Sequence, residues 1–146
     1  MCTCEPRKYV ALLLDAYGQL APSLRDEFNL VVAGPHGWGD PGTLRRLHSP
    51  SPGVHYLGYV PEDDLPGLMA GATVFVYPSL YEGFGLPVAQ SMAVGVPVIT
   101  SNVSSMPEVG GDGAVLVDPR STAELASALS RLLLSPELRA RVGAHG

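Results

Sequence analysis

Short, uninterrupted apolar runs bounded by glycine or proline recur along this chain and leave few folds open to it. Residues 73–77 are β-branched or aromatic at every position and stop at Pro78. Residues 29–34 contain a second such run, which ends in glycine. Strands that are apolar on both faces are typical of a parallel sheet with helices on each side. The runs therefore predict strands buried on both faces of a parallel sheet.

Helical stripes alternate with these runs. Residues 8–20 place apolar side chains at the i, i+3, i+4 and i+7 spacing of an amphipathic helix. Residues 121–134 carry a similar stripe, and Ser121 with Glu124 forms the pattern of a capping box at its start. Strands that alternate with helices in this way predict an α/β fold with a doubly wound parallel sheet. The shorter predicted helices cover 43–48, 63–71 with acidic residues in its first turn, 86–94 and a segment from Pro136, and the shorter strands cover 54–57, 97–100 and 114–117.

Composition fits one folded domain over residues 1–146. Hydrophobic residues make up 46% of the chain and charged residues 16%, which is enough apolar material for a core and too little charge for disorder. The net charge is −5, and Lys8 is the only lysine. Because a field of that sign repels phosphate backbones, nucleic acid is not expected as a partner.

The N-terminal residues bear on the cellular compartment and on whether the domain is whole. Cys2 and Cys4 lie one residue apart, where they neither staple a fold nor complete a zinc site. The chain has no signal-peptide pattern and no run long enough to span a membrane, so we expect a cytoplasmic protein. A doubly wound sheet begins with a central strand, and residues 1–4 are short for one. The sequence therefore predicts a fragment clipped at its first strand.

The segment after the strongest predicted strand is the best candidate for chemistry. Ligands of open α/β sheets bind beyond the carboxyl ends of the strands, where helix N-termini collect anions. Here Gly83 and Gly85 permit close backbone approach, Pro87 suits a first helical turn, and Glu82 is the only carboxylate. The local pattern alone is equally consistent with a plain strand-to-helix turn that carries a solvated glutamate.

A family resemblance decides between these interpretations. Residues 82–90 (Glu-Gly-Phe-Gly-Leu-Pro-Val-Ala-Gln), with 91–101 and 107–110, closely resemble the donor-binding half of retaining glycosyltransferases of the GT-B fold, in the large family-4 group. Segments 5–8, 31–34, 57–60 and 116–119 match in the same order, so the resemblance covers nearly the whole chain. It implies a Rossmann-like C-terminal domain that binds a nucleoside-diphosphate sugar. The N-terminal domain that binds the acceptor in such enzymes has no counterpart in this chain.

The resemblance also implies roles for individual residues. Glu82 matches the first glutamate of a paired motif beside the donor sugar, where a carboxylate favours positive charge developing at the anomeric carbon. Lys8 matches a lysine that binds the diphosphate. The other matches are Gly83, Phe84, Gly85 and Leu86 in the loop beside the sugar and diphosphate, and Tyr59 and Val60 in the segment that holds the base.

Two positions depart from the family pattern. Gln90 stands where the motif has its second glutamate, which holds the ribose hydroxyls. A neutral hydrogen bond contributes about 0.5 to 1.5 kcal/mol and a charge-assisted one about 1.5 to 3 kcal/mol, so we expect donor binding to weaken several-fold. Cys2, Thr3 and Cys4 occupy the region where many members place a second diphosphate-binding arginine.

The predicted function is hexosyl transfer from a nucleoside-diphosphate sugar to an acceptor hydroxyl with retention of configuration, without a metal or other cofactor. The chain alone is expected to bind donor weakly and to turn over little. The alternative is a truncated or non-catalytic nucleotide-sugar-binding module, which the Gln90 departure, the missing arginine and the missing first strand favour. An epimerase on the same fold fits the glutamate motif less well. The base, the hexose, the acceptor and the oligomeric state stay open, and a lipid acceptor would bring the enzyme to a membrane surface.

Overall fold

A computed structural model describes residues 10–35, 40–80 and 84–146 of the chain. Within these ranges the fold is α/β, as predicted. The elements in chain order are α1 (Val10–Gly18), α2 (Pro22–Glu27), β1 (Leu30–Ala33), α3 (Pro41–His48), β2 (Val54–Gly58), α4 (Leu65–Ala70), β3 (Phe75–Tyr77), α5 (Leu86–Ala93), β4 (Val98–Ser101), α6 (Met106–Gly110), a 3₁₀ turn (Gly111–Gly113), β5 (Ala114–Val117), α7 (Thr122–Leu134) and α8 (Pro136–Ala144).

The strands pair in parallel in two groups. β1 pairs with β2, and β3, β4 and β5 pair in that order. Leu30 lies opposite Val54 in the first group, while Val98 lies between Phe75 and Ala114 in the second. Parallel strands joined through helices place every carboxyl end at the same edge of their sheet. This arrangement confirms the predicted doubly wound architecture.

Several predicted element bounds change. β3 begins at Phe75 rather than at residue 73, because the N–H of Phe75 is the first in this segment to bond the neighbouring strand, at the Pro97 carbonyl. The acidic residues predicted for the first turn of the helix at 63–71 lie in a preceding turn at 62–64, and α4 starts at Leu65. Helices α2 and α6 were not predicted, since six and five residues are too few to show a helical period.

The burial predicted for the apolar run at residues 29–34 holds for only one residue of β1, since Leu30 and Ala33 are half-buried. Val32 of β1 is buried, but Val31 is 45% exposed. Phe75 and Val76 of β3, in the strongest predicted strand, are only partly buried. These side chains line a cavity of about 420 Å³ between β1 and β3. Among residues 10–35, 40–80 and 84–146, no strand packs between the sides of β1 and β3 that line this cavity.

The main core lies between the helical layer and the second strand group. Helix α1 packs on α7, and the side chains of Leu125 and Leu132 are fully buried there. Ile99 of β4 and Val117 of β5 close the core from the sheet side. At roughly 25 cal/mol per Å² of buried apolar surface, such leucines are the main stabilising groups of this layer.

Only one of the two hydrogen bonds of the predicted capping box forms at the start of α7. The Ser121 hydroxyl oxygen accepts a hydrogen bond from the Glu124 N–H at 3.1 Å, which is half of a capping box. The Glu124 carboxylate accepts instead from the N–H of Asp118 at 2.6 Å. Since Asp118 directly follows β5, this bond ties the start of α7 to the end of the edge strand.

Helix α3 has a charged cap whose contribution depends on pH. The Asp40 carboxylate accepts hydrogen bonds from the N–H of Thr43 at 2.9 Å and from its hydroxyl at 3.2 Å. These bonds lower the pKa of Asp40 below its ordinary value of 3.8. A carboxyl group whose pKa is lowered on folding stabilises the folded state above its unfolded pKa, and this stabilisation is lost as the pH falls through its folded pKa.

We therefore expect Asp40→Asn to flatten the loss of stability below pH 3.8 relative to the natural chain, because the amide still caps the helix but does not titrate. Urea unfolding at a series of acidic pH values measures this difference. Asp40→Ala, which removes both the cap and the charge, serves as the control and should be less stable at neutral pH as well. Parallel pH profiles for the natural chain and Asp40→Asn would contradict the assignment.

None of the helices in the described ranges combines the length and the hydropathy that crossing a bilayer requires.

Candidate functional site

The carboxyl ends of the strands carry most of the predicted site residues that the structure describes. β1 runs into Gly34 and Pro35, β2 into Tyr59 and Val60, and β3 into the segment that leads to α5. This edge is where parallel α/β sheets bind ligands, since the following helices point their N-termini at it.

Gly85 shapes the start of α5. It adopts the left-handed conformation at φ 77°, and among the described residues no side chain caps the helix. A Cβ built on Gly85 would overlap the Cε methyl of Met106, which is fully buried on α6. The Gly85 carbonyl accepts the N–H of Val88 at 3.0 Å, and Pro87 lies in the first turn. This geometry leaves the positive end of an eight-residue helix uncovered by its own side chains.

The side chains beside this helix start face solvent. Phe84 is 63% exposed and Leu86 is 56% exposed. Gln90 is also exposed, and it lies one turn beyond Leu86 on the same face of α5. The loop, the helix start and the amide of Gln90 therefore form one accessible strip.

A second cavity of about 500 Å³ lies at the ends of β1 and β2. Its wall is fixed by Tyr56, whose hydroxyl donates to the carbonyl of Gly34 at 2.9 Å and whose ring meets that of His48 edge to face at 5.3 Å. Tyr59 lines the opening and is 61% exposed, whereas the side chain of Val60 is buried. An exposed ring beside polar backbone groups suits a planar ligand. The lining residues are Pro35, Leu47, His48, Tyr56, Leu57, Gly58 and Tyr59.

Comparison with known proteins identifies the family. A family profile described as "Glycosyl transferases group 1" matches residues 3–146. The chain belongs to the group 1 glycosyl transferases.

Individual relatives of this group 1 glycosyl transferase agree with that result. The O-antigen chain mannosyltransferase B of Escherichia coli is 41% identical over 146 residues, which is 99% of this chain and 38% of that protein. A sucrose-phosphate synthase structure from Thermosynechococcus elongatus superposes with a TM-score of 0.78 at 28% identity and covers 97% of this chain and 37% of its own. The crystal structure of HepE from Anabaena in complex with UDP has a TM-score of 0.85 at 23% identity, over 99% of this chain and 40% of that one. The chain thus spans about two fifths of the length of these proteins.

The structure places some of the predicted residues directly after the carboxyl ends of β2 and β3 and does not describe others. Phe84, Gly85, Leu86 and Gln90 follow β3, and Tyr59 and Val60 follow β2. Lys8, Glu82 and Gly83 lie outside the described residues, and their roles stay predictions. His36 and Trp38, which follow β1 in the sequence, lie outside them as well.

Three residues shape the site without a signal in the sequence. Met106, the first residue of α6, packs beneath Gly85. Gly85 lies twenty-one positions earlier, directly before α5, so no local pattern connects the two. Tyr56 and His48 form the wall of the second cavity, but each is an ordinary strand or helix residue in the sequence pattern. The sequence spacing of His48 and Tyr56 does not predict their contact, which follows only from the packing of α3 on β2.

Within residues 10–35, 40–80 and 84–146, no three His, Cys, Asp or Glu side chains come together in a way that would hold a metal ion.

Proposed function

We propose that this group 1 glycosyl transferase chain is a donor-binding domain that holds a nucleoside-diphosphate hexose for transfer to an acceptor hydroxyl with retention of configuration. The observation that carries the proposal is the glycine-led N-terminus of α5, which opens at the carboxyl end of β3 and carries no side-chain cap from the residues that the structure describes. The names of the curated relatives, which include mannosyltransferases from Escherichia coli and Mycolicibacterium hassiacum, favour mannose as the hexose.

The diphosphate would bind at the start of α5, where the helix dipole favours negative charge. Lys8 would supply the cation that balances the departing diphosphate. Glu82 would accept hydrogen bonds from the sugar hydroxyls and stabilise positive charge at the anomeric carbon. No step in this scheme uses a metal ion, and the groups that bind and activate the acceptor would come from an N-terminal domain.

The nucleoside would occupy the cavity at the ends of β1 and β2. The exposed ring of Tyr59 offers a stacking face, and the inward side chain of Val60 leaves only its backbone groups for the base. Gln90, on the exposed face of α5, would accept a hydrogen bond from a ribose hydroxyl. The solved HepE complex with UDP supports a nucleoside diphosphate as the ligand class.

Thermal unfolding with UDP, GDP, ADP and their hexose conjugates tests this proposal. A ligand present at 100 times its dissociation constant stabilises the folded state by about 2.7 kcal/mol, which raises the unfolding temperature of a domain of this size by several degrees. One nucleotide family should shift the transition and thereby identify the base. A cooperative transition that none of these ligands moves would overturn the proposal.

Removing the only lysine should weaken diphosphate binding. Lys8→Met is expected to raise the dissociation constant of the preferred nucleoside diphosphate about tenfold, since a charge-assisted hydrogen bond to the ligand is lost. Isothermal titration measures the change. Arg131→Met, at an exposed position near the end of α7, is the matched control and should leave the affinity unchanged. Equal effects of the two substitutions would assign the loss to net charge rather than to contact.

Restoring the acidic residue of the motif should tighten binding. Gln90→Glu is expected to lower the dissociation constant several-fold, because a carboxylate accepts a ribose hydroxyl more strongly than an amide does. Gln19→Glu, at another exposed glutamine, makes the same change of charge away from the site. An unchanged or weaker affinity for Gln90→Glu would mean that residue 90 does not bind the ribose. That result would favour the non-catalytic module.

A further inference from the structure

The segment between β4 and α6, residues 102–105, contains a strained turn, and we call it the β4–α6 loop. The N–H of Met106 donates to the carbonyl of Val103 at 3.3 Å, which closes a tight turn around Ser104 and Ser105. Ser104 has φ 59°, while Ser105 has φ −81° and ψ −5°, which fits a type II′ turn. Glycine is the usual residue at the first central position of such turns. Of the residues that the structure describes, Ser104 is the only one other than glycine with a positive φ.

A second local cost lies where the same loop begins. The side chain of Ser101, the last residue of β4, is fully buried, and its hydroxyl has no hydrogen-bond partner among the described residues. Buried polar groups of folded proteins are nearly always paired. Strained backbone persists only where the surrounding structure enforces it, and it is concentrated at ligand sites. Two such costs within four residues indicate that binding, rather than stability, shapes this loop.

The β4–α6 loop lies beside the proposed diphosphate site. Ser104 precedes Met106 by two positions, so their Cα atoms lie within about 8 Å of each other. The side chain of Met106 in turn lies against Gly85 at the start of α5. β4 pairs with β3 on the side away from β1, since the large cavity lies between β1 and β3. A donor with its nucleoside at the ends of β1 and β2 and its diphosphate at α5 would therefore extend its hexose toward this loop.

The polar groups of the loop suit a sugar rather than a phosphate. Residues 101–107 contain no charged side chain, whereas phosphate groups are bound mainly by cations. Ser104 is exposed, and a hydroxyl has one donor and two acceptor positions, so it can bond a sugar hydroxyl in addition to a protein partner. We propose that the Ser104 hydroxyl binds a hydroxyl group of the donor hexose, an assignment that rests on the proposed function.

Removing the hydroxyl of Ser104 tests the assignment. Ser104→Gly should not lower the unfolding temperature, since glycine adopts a positive φ without strain. Isothermal titration is carried out with UDP and UDP-glucose and with GDP and GDP-mannose, and the pair that binds more tightly is compared. We expect the dissociation constant of the sugar conjugate to rise about three- to tenfold, the effect of one neutral hydrogen bond, while that of the nucleoside diphosphate stays within about twofold. Equal changes for the two ligands, or no change for either, would overturn the assignment.

Two further variants separate a sugar contact from a change in loop geometry. Ser104→Asn keeps a hydrogen-bonding side chain on a residue type that tolerates a positive φ, so it should bind the sugar conjugate more tightly than Ser104→Gly does. Ser23→Gly makes the same serine-to-glycine change at an exposed position of α2, which leads into the amino end of β1, and should leave both affinities unchanged. Equal sugar affinity in the two Ser104 variants, or an equal loss in Ser23→Gly, would contradict a hydroxyl contact.

Amide hydrogen exchange in the natural chain distinguishes the hexose contact from the proposed function. The sugar conjugate should slow exchange at Ser104 and Ser105 by about fivefold or more relative to the nucleoside diphosphate alone, because only the conjugate reaches the β4–α6 loop. Equal protection by the two ligands would overturn the hexose contact and leave the nucleotide site intact. Absence of binding by either ligand would overturn the proposed function and the hexose contact with it.

Discussion

Gly85→Ala is expected to destabilise the fold by about 2 to 5 kcal/mol and to abolish measurable nucleotide binding. The left-handed conformation at φ 77° costs a side-chain-bearing residue about 1 to 2 kcal/mol. The new methyl group would also overlap the Met106 side chain, which is fully buried, and overpacking of this kind costs about 1 to 3 kcal/mol. Both penalties fall on the first turn of α5, where the diphosphate is proposed to bind.

The chain offers a matched control in Gly95→Ala. Gly95 has nearly the same φ, 78°, but its added methyl group would meet no atom within 4 Å. Urea unfolding should therefore show only the conformational part of the penalty, about 1 to 2 kcal/mol, and titration should show unchanged nucleotide affinity. Equal losses of stability in the two variants would mean that Met106 yields without cost.

A double variant identifies the origin of the larger loss. Replacing Met106 with alanine removes the atoms that a methyl group introduced at position 85 would strike, so Gly85→Ala should cost less in that background than in the natural one. The cost of Gly85→Ala in the natural chain minus its cost in the Met106→Ala chain is the coupling energy of the pair. This energy is zero when the two substitutions act independently. A coupling near zero would contradict the steric explanation.

The sequence predicts the elements whose signal is local and long. The stripe over 121–134 and the serine before it become α7 with Ser121 as its cap, because thirteen residues sample more than three helical turns. The short helices α2 and α6 sample too few positions for a period to appear. Val31 was expected to be buried because the run around it is apolar, yet its exposure depends on what lies beside β1 in the sheet, which no local pattern records.

In the candidate site, too, the local features are predictable from the sequence and the contacts between distant residues are not. The rule that ligands bind beyond the carboxyl ends of parallel strands places the segment after β3 at the site, and the structure puts Gly85 and Gln90 there. The need for glycine at position 85 has two causes, of which the positive φ is suggested by the sequence and the contact with Met106 is not. The pairing of His48 with Tyr56 likewise joins α3 to β2 and follows only from their packing.

Leu132→Ala is expected to remove about 2 to 5 kcal/mol from the free energy of unfolding. The side chain is fully buried where α7 packs on α1, so its truncation loses transfer free energy and leaves a cavity that rigid helices do not fill. Single domains have about 5 to 15 kcal/mol in total, so the variant should unfold at a markedly lower urea concentration.

Leu134→Ala provides the comparison within the same helix. Leu134, two positions further along α7, is 69% exposed. Its truncation makes the same leucine-to-alanine change in a helix but removes almost no buried surface. Its stability should stay within about 0.5 kcal/mol of the natural chain. If both variants lost equal stability, the penalty would come from the helix and not from the α1–α7 contact. A large loss for Leu132 alone would establish that this contact holds α1 in place on α7.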